Sequence, residues 1–180
     1  MVFNGERNVL KKYPSRNPNQ CTFTYEDFDV HHCASVNDSW KLRKLFKFSK
    51  HKDVNLQDDD FGGRSALHIA CQKGHIECCE ILLENGADPT LRMYDGWTPA
   101  HCAAEIGNIE VLKLLIRYSG TVVAKDDAGA TPRHIAKTYG HKDCATFLKA
   151  VEEHPSQKQE IIRDRIQNAA RRTLLKIQKE

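Results

Sequence analysis

No run of about 18 apolar residues occurs in this chain of 180, so no membrane-spanning helix is expected. The opening residues, MVFNGERNVLKKYP, lack the apolar stretch of a secretory signal. Without one, the seven cysteines are expected to be free thiols in a reducing, intracellular and cytoplasmic setting. There are nine histidines, but the spacings that hold zinc are missing: no C-x2-C, no H-x3-H and no H-E-x-x-H. No G-x-S-x-G elbow and no phosphate-cradling G-x4-G-K-[ST] loop occurs either. Gly62–Gly63 is a lone pair, and Asp58–Asp59–Asp60 reads as a solvated charge run before it. No two carboxylates can be given acid and base roles. The chain is expected to be no enzyme and to use no cofactor or metal. A strong charge of one sign is lacking too. The net of +3 and pI of about 8.4 are too mild to imply nucleic acid as a partner.

What is present describes a folded chain. Hydrophobic residues make up 40% and charged residues 28%, the balance of an ordered, soluble protein. The charge is uneven. Residues 1–20 set Arg7, Lys11, Lys12 and Arg16 against Glu6 alone. Residues 155–180 set seven Lys and Arg against Glu160, Asp164 and Glu180. A weakly acidic body therefore lies between two basic ends.

A repeat organises that body. His31, His68, His101 and His134 mark four copies, the last two intervals being 33 residues each and the first 37. The strongest copy is DGWTPAHCAAEIGNIEVLKLLIRY (95–118), preceded by GRSALHIACQKGHIECCEILLENGADPT (63–90) and followed by AGATPRHIAKTYGHKDCATFLKAV (128–151). The first copy, VHHCASVNDSWKLRKLFKFSKHKDVN (30–55), is degenerate. Each clear copy has a hydroxyl residue that can cap a helix start: Ser65, Thr98 or Thr131. Pro99 and Pro132 follow where a helix needs no amide donor. Ala70, Ala103, Ala104 and Ala136, with Cys33 in the first copy, give a small-residue face, and Gly74, Gly107 and Gly140 end the helix. Second helices follow with apolar residues at helical spacing, such as Ile109, Val111, Leu112, Leu114 and Leu115. The spacing predicts helix pairs at 29–36 and 39–48, 66–73 and 76–84, 99–106 and 109–117, and 132–139 and 142–150. Loops are expected to project near 57–64, 91–97 and 124–130.

Period, Thr-Pro, His, Gly and the NGAD turn together resemble the ankyrin repeat. The resemblance spans residues 28–151 and implies an all-α solenoid of four stacked helix-turn-helix repeats with hairpin-like loops. It leaves an extended or disordered N-terminal arm over 1–27, and a linker and basic amphipathic helix over 152–180. It also implies that the four repeat histidines hydrogen-bond between neighbouring copies. Cys71, Cys78, Cys79, Cys102 and Cys144 fill slots held by Ala, Leu, Ile or Val in sister copies, and are expected to be small core residues. The pattern breaks where Asn37–Asp38 replace the central Gly turn and where YSGTVV (118–123) replaces the GAD turn.

Such a stack implies a protein partner on the concave surface of loop tips and first helices. The side chains suited to contact there are Phe61, Arg64, Met93, Tyr94, Trp97, Ile106 and Tyr139. Trp97 has the alternative of covering its neighbouring loop.

The C-terminal segment IIRDRIQNAARRTLLKIQKE has no Gly or Pro and is expected to be one helix. Ile162, Ile166, Ala169, Ala170, Thr173 and Ile177 line one face. Ile166–Gln167 followed by Arg171, Arg172 and Lys176 resembles the IQ motif, which binds calmodulin or a calmodulin-like light chain. The match departs at Arg172, where Gly is common, and at Lys179, where an apolar residue is expected. The alternatives are a helix that packs back on the last repeat as a cap, or one that docks in a larger assembly. An isolated helix of this length is marginal in water, so it needs some partner.

The leading expectation is an adaptor or scaffold that binds one protein on the concave face and a second through the C-terminal helix. A narrower likeness of DGWTPAHCAAEIG and TPRHIAKTYG to one small ankyrin-repeat protein implies a place in a ciliary or flagellar axonemal complex. The alternative is a regulatory or targeting subunit of an enzyme. A binder of nucleic acid or anionic membranes through the basic ends predicts steep salt dependence, and the acidic body argues against it.

Overall fold

The structure, a computed structural model, describes residues 25–48 and 53–154, and beyond them residues 156, 158–163 and 167. The described helices form four consecutive pairs. They are α1 (Tyr25–Val36) with α2 (Ser39–Phe48), α3 (Ala66–Lys73) with α4 (Ile76–Glu84), α5 (Pro99–Glu105) with α6 (Ile109–Arg117), and α7 (Pro132–Thr138) with α8 (Lys142–Glu153). The odd-numbered helices pack on one another in series, α1 on α3, α3 on α5 and α5 on α7. Outside them α2 packs on α4 and α4 on α6. No described helix is long and apolar enough to cross a membrane.

The inner layer is close because its side chains are small. Cys33, Ala70, Ala103 and Ala136, one per copy, are all fully buried. The second layer is filled by Leu82, Leu112, Leu115 and Leu148, equally inaccessible. Burying a leucine of this kind stabilises the fold by about 2 kcal/mol.

The helix starts follow from the capping residues. Ser65 and Thr98 each form a reciprocal box with the histidine three residues on. The backbone N–H of Ser65 donates to His68 Nδ1 at 3.2 Å, and that of Thr98 to His101 Nδ1 at 3.1 Å. Thr131 accepts from the His134 N–H at 3.4 Å. At the turn inside each pair the backbone goes left-handed, at Gly74 with φ +72°. In the degenerate first copy Asn37 takes that role with φ 60°, one of the few side chains that tolerates it.

Three details differ from the sequence expectation. Helix α1 opens at Tyr25, so it reaches into the segment read as an extended arm. Only the first loop forms a strand pair, β1 (Gln57–Asp58) antiparallel to β2 (Arg64–Ser65), around a short 3-10 turn at Asp59–Phe61. The later loops are closed by turns without a strand pair, Met93 N–H donating to Trp97 O at 2.7 Å with Gly96 N–H to Met93 O at 2.9 Å, and Asp126 N–H to Ala130 O at 2.9 Å with Gly129 N–H to Asp126 O at 3.0 Å. Helix α8 runs on to Glu153, because buried Val151 adds an apolar anchor and Glu152 accepts from Arg133 at 3.0 Å. Residues 158–163 are helical, and Ile161 and Ile162 pack against the core.

Candidate interaction surface

Two columns of side chains recur at one position per copy. The first lies on the loop tips: Phe61, Tyr94 and Asp127, 33 residues apart and all exposed. The second lies where the first helix of each pair ends: Lys73, Ile106 and Tyr139. Phe61, Tyr94 and Tyr139 are more than half exposed, at 63%, 61% and 54%, and Ile106 is at 37%. Large apolar side chains held this open do not contribute to the core.

The tips are tied to one another rather than loose. Tyr94 N–H donates to Gly62 O at 3.0 Å, and the Tyr94 hydroxyl donates to Asp59 of the preceding loop. The Tyr94 ring lies so close over Gly63 that a Cβ there would sit 2.7 Å from it, and Gly63 holds φ +75°. Only glycine meets both demands. The Gln57 amide donates to Gly63 O at 2.6 Å and to Arg92 O at 2.8 Å. Arg92 in turn reaches the next loop, donating to Lys125 O at 2.9 Å and to the Asp127 carboxylate at 3.2 Å. Asp127 N–H donates to Asp95 O at 3.2 Å. A surface ordered before a partner arrives loses less entropy on binding.

The repeat histidines set the spacing beneath these tips. His68 Nε2 lies 3.1 Å from Leu91 O and 3.3 Å from Trp97 O of the following copy. His101 Nε2 lies 3.2 Å from Ala130 O, and His31 Nε2 lies 3.3 Å from Arg64 O. Burial pulls the pKa of His68 down to about 4 and that of His101 in the same direction, so both rings stay neutral. The His134 ring is exposed.

Sequence reasoning overlooked a second set of ties. His75 Nδ1 lies 2.8 Å from Ala34 O, and His141 Nε2 lies 2.8 Å from Glu105 O, each reaching back to the first helix of the preceding copy. The Gly-His dipeptides at 74–75 and 140–141 were the available signal. Asn108 holds the same place in the third copy and instead caps α6, accepting from Val111 N–H at 3.1 Å. Asn55 also joins copies, donating to Gly86 O and accepting from Asp88 N–H.

The remaining sequence-selected residues divide. Trp97 is half-buried and stacks on the His101 ring, 5.9 Å between centroids, and both it and Met93 pack against the core. Arg64 is half-buried in strand β2 of the first hairpin, offering its carbonyl to His31. On the C-terminal segment Ile162 is half-buried against the core and Gln167 is exposed. Ile166, Arg171, Arg172 and Lys176 lie outside the described residues.

Nothing described gathers chemistry. The six described cysteines are buried and unbridged, and burial pushes the Cys102 thiol up to about 12 and those of Cys78 and Cys144 to about 11. Among the described residues no three His, Cys, Asp or Glu side chains form a metal-holding group. A cleft of about 440 Å³ on the last copy is lined by Val123, Thr131, Arg133, His134, Lys137 and Glu152, with Arg133 and Glu152 paired to each other.

Serial helix pairs with tied, protruding loop tips and an apolar ridge define a repeat-type interaction module. The family model for ankyrin repeats (3 copies) matches residues 30–126 and 83–160, so the chain belongs to the ankyrin-repeat family. Family members serve as protein-interaction modules. The chain is 34% identical over 80 residues, 43% of its length, to the inactive serine/threonine-protein kinase TEX14 of Mus musculus. It is 43% identical over 71 residues, 39% of its length, to protein phosphatase 1 regulatory subunit 12A of Homo sapiens. It is 30% identical over 71 residues, again 39%, to synphilin-1 of Mus musculus. These stretches cover only 5%, 7% and 7% of those proteins, so the likeness is to a module within them.

Proposed function

We propose that the chain is a non-catalytic adaptor that takes a protein partner across the ridge of Phe61, Tyr94, Ile106 and Tyr139. One observation carries this reading: these large side chains stand exposed on loop tips tied to one another by hydrogen bonds and on the ends of packed helices. Aromatic anchors on a rigid base are the usual makings of a binding hot spot. The C-terminal segment serves as a second docking element. Its IQ-like part is assigned to a calmodulin-type light chain, on the sequence resemblance alone. A ciliary or flagellar axonemal setting rests in the same way on the narrower sequence likeness.

A second reading, a regulatory or targeting subunit of an enzyme, is favoured by the likeness to protein phosphatase 1 regulatory subunit 12A. It differs in giving a soluble one-to-one complex rather than a cytoskeletal pellet.

Affinity capture with the full chain tests both, in calcium and in chelator, beside a Tyr94→Ala/Tyr139→Ala variant. The expected result is a partner retained by the wild type and lost by the variant, which still unfolds cooperatively with a melting temperature only modestly lower. A partner held equally by both ends the ridge reading. Calmodulin-type proteins appearing in neither condition end the IQ reading.

A further inference from the structure

Helix α2, on the outside of the first copy, has used its apolar face already. Leu42 is fully buried, and Leu45 and Phe46 pack against the core. Two more large rings nevertheless remain in solvent, Trp40 and Phe48, each 70% exposed. They are the most exposed large apolar side chains described, somewhat above the ridge residues. Eight residues of helix separate them, about 12 Å along the axis. Between them lies Lys44, whose ammonium stands 4.9 Å from the Trp40 ring centroid, and Lys47 stands 5.6 Å from that of Phe48. Cations over ring faces make a surface that attracts negative charge and apolar matter together. The helix SWKLRKLFKF carries Lys41, Arg43, Lys44 and Lys47 and no acidic residue. Among the described residues neither Lys44 nor Lys47 meets a carboxylate, whereas Arg43 reaches Glu77 at 3.3 Å on the side facing α4.

We infer that the Trp40–Lys44–Phe48 stripe is a docking surface for an acidic amphipathic helix of another protein, set apart from the ridge of Phe61, Tyr94, Ile106 and Tyr139. Charge selects the occupant. The chain's own N-terminal residues bear four cations against Glu6, and its C-terminal residues seven against three acids, so both ends repel the stripe. A second copy of the same face would set cations on cations. An anionic membrane is disfavoured because the apolar face of α2 packs on the core and is not free to enter lipid. A helix with two apolar residues seven or eight apart and Glu or Asp between them matches both anchors and the intervening ammonium.

The test is selection of random peptides of about four helical turns, displayed on phage, against the full chain. The stripe predicts enriched peptides with an acidic excess and two apolar residues at that spacing. Their binding, read by fluorescence anisotropy, weakens at least about tenfold with Trp40→Ala/Phe48→Ala and with Lys44→Glu/Lys47→Glu, and falls as salt rises. It is unchanged by Tyr94→Ala/Tyr139→Ala, so the ridge and the stripe are told apart. All these side chains are exposed, and cooperative thermal unfolding confirms that the variants fold. The proposal is overturned by no enrichment, by enriched peptides without acidic excess, or by equal binding to the Trp40→Ala/Phe48→Ala chain. It is overturned too if Trp40 drives sedimentation with phosphatidylserine vesicles while no peptide binds. Shielding of Trp40 from acrylamide in the free full-length chain, read in a Trp97→Phe background, would show the chain covering its own stripe and end the idea.

Discussion

Acid should loosen this stack before it reaches the carboxylate range, and His68 should lead. Its ring is inaccessible and is held neutral between the Ser65 cap and the carbonyls of Leu91 and Trp97. The folded pKa of about 4 lies below the ordinary 6.5. The unfolded chain therefore takes up the proton first, and stability falls as pH drops through that window. It is fully present above about 6.5 and fully lost below about 4. A fall from 6.5 to about 4 corresponds to about 3 kcal/mol in all, of which roughly 1 kcal/mol is lost by pH of about 5.5. His101 shifts in the same direction for the same reason and adds to the loss. The measurement is urea unfolding at a series of pH values, with histidine ring shifts followed by NMR. A His68→Gln chain should be less stable at neutral pH and show a shallower acid slope. A His68 resonance titrating near 6.5, or a midpoint flat from pH of about 7.5 to 5, would refute the reasoning.

Three further outcomes are expected. Maleimide at neutral pH should leave Cys33, Cys71, Cys78, Cys79, Cys102 and Cys144 unlabelled in the folded chain and label all six in urea, as peptide mass spectrometry reads. Ser119 holds φ 65° without being glycine, so Ser119→Gly should raise unfolding stability by about 1 kcal/mol. Leu112→Ala removes a fully buried side chain between outer helices and should cost about 2–5 kcal/mol, seen as a large fall in melting temperature.

The helix pairs were legible because each copy states its own boundaries. Thr98–Pro99 opens α5, and Ala103–Ala104 can only serve a tight interface. Repetition then corrects local ambiguity: Cys33 would be uninformative alone, but it falls in an alanine column. The start of α1 was missed because it lies upstream of the repeat, where no sister copy guides the reading. The ties made by His75 and His141 were missed because their acceptors are backbone carbonyls 41 and 36 residues away. Carbonyls carry no residue signature. Trp97 illustrates the limit at the surface, for composition suggests a contact residue, while its half-buried place over His101 depends on how one loop leans on the next. The exposure of Trp40 and Phe48 was illegible for a related reason. A helix rich in Leu and Phe shows that one face is buried, but not which rings are left over.

The ties between copies also fix which changes of chain length the molecule can absorb. His68 to Trp97 and His101 to Ala130 repeat one offset of 29 residues, and His141 to Glu105 and Asn55 to Asp88 join neighbouring copies across 36 and 33 residues. Adding or removing a single residue inside a copy throws that junction out of phase and strands several buried donors. Adding or removing a whole unit of 33 residues keeps every offset intact. His134, at the same position in the last copy, has an exposed ring, while Ile161 and Ile162 after that copy pack against the core.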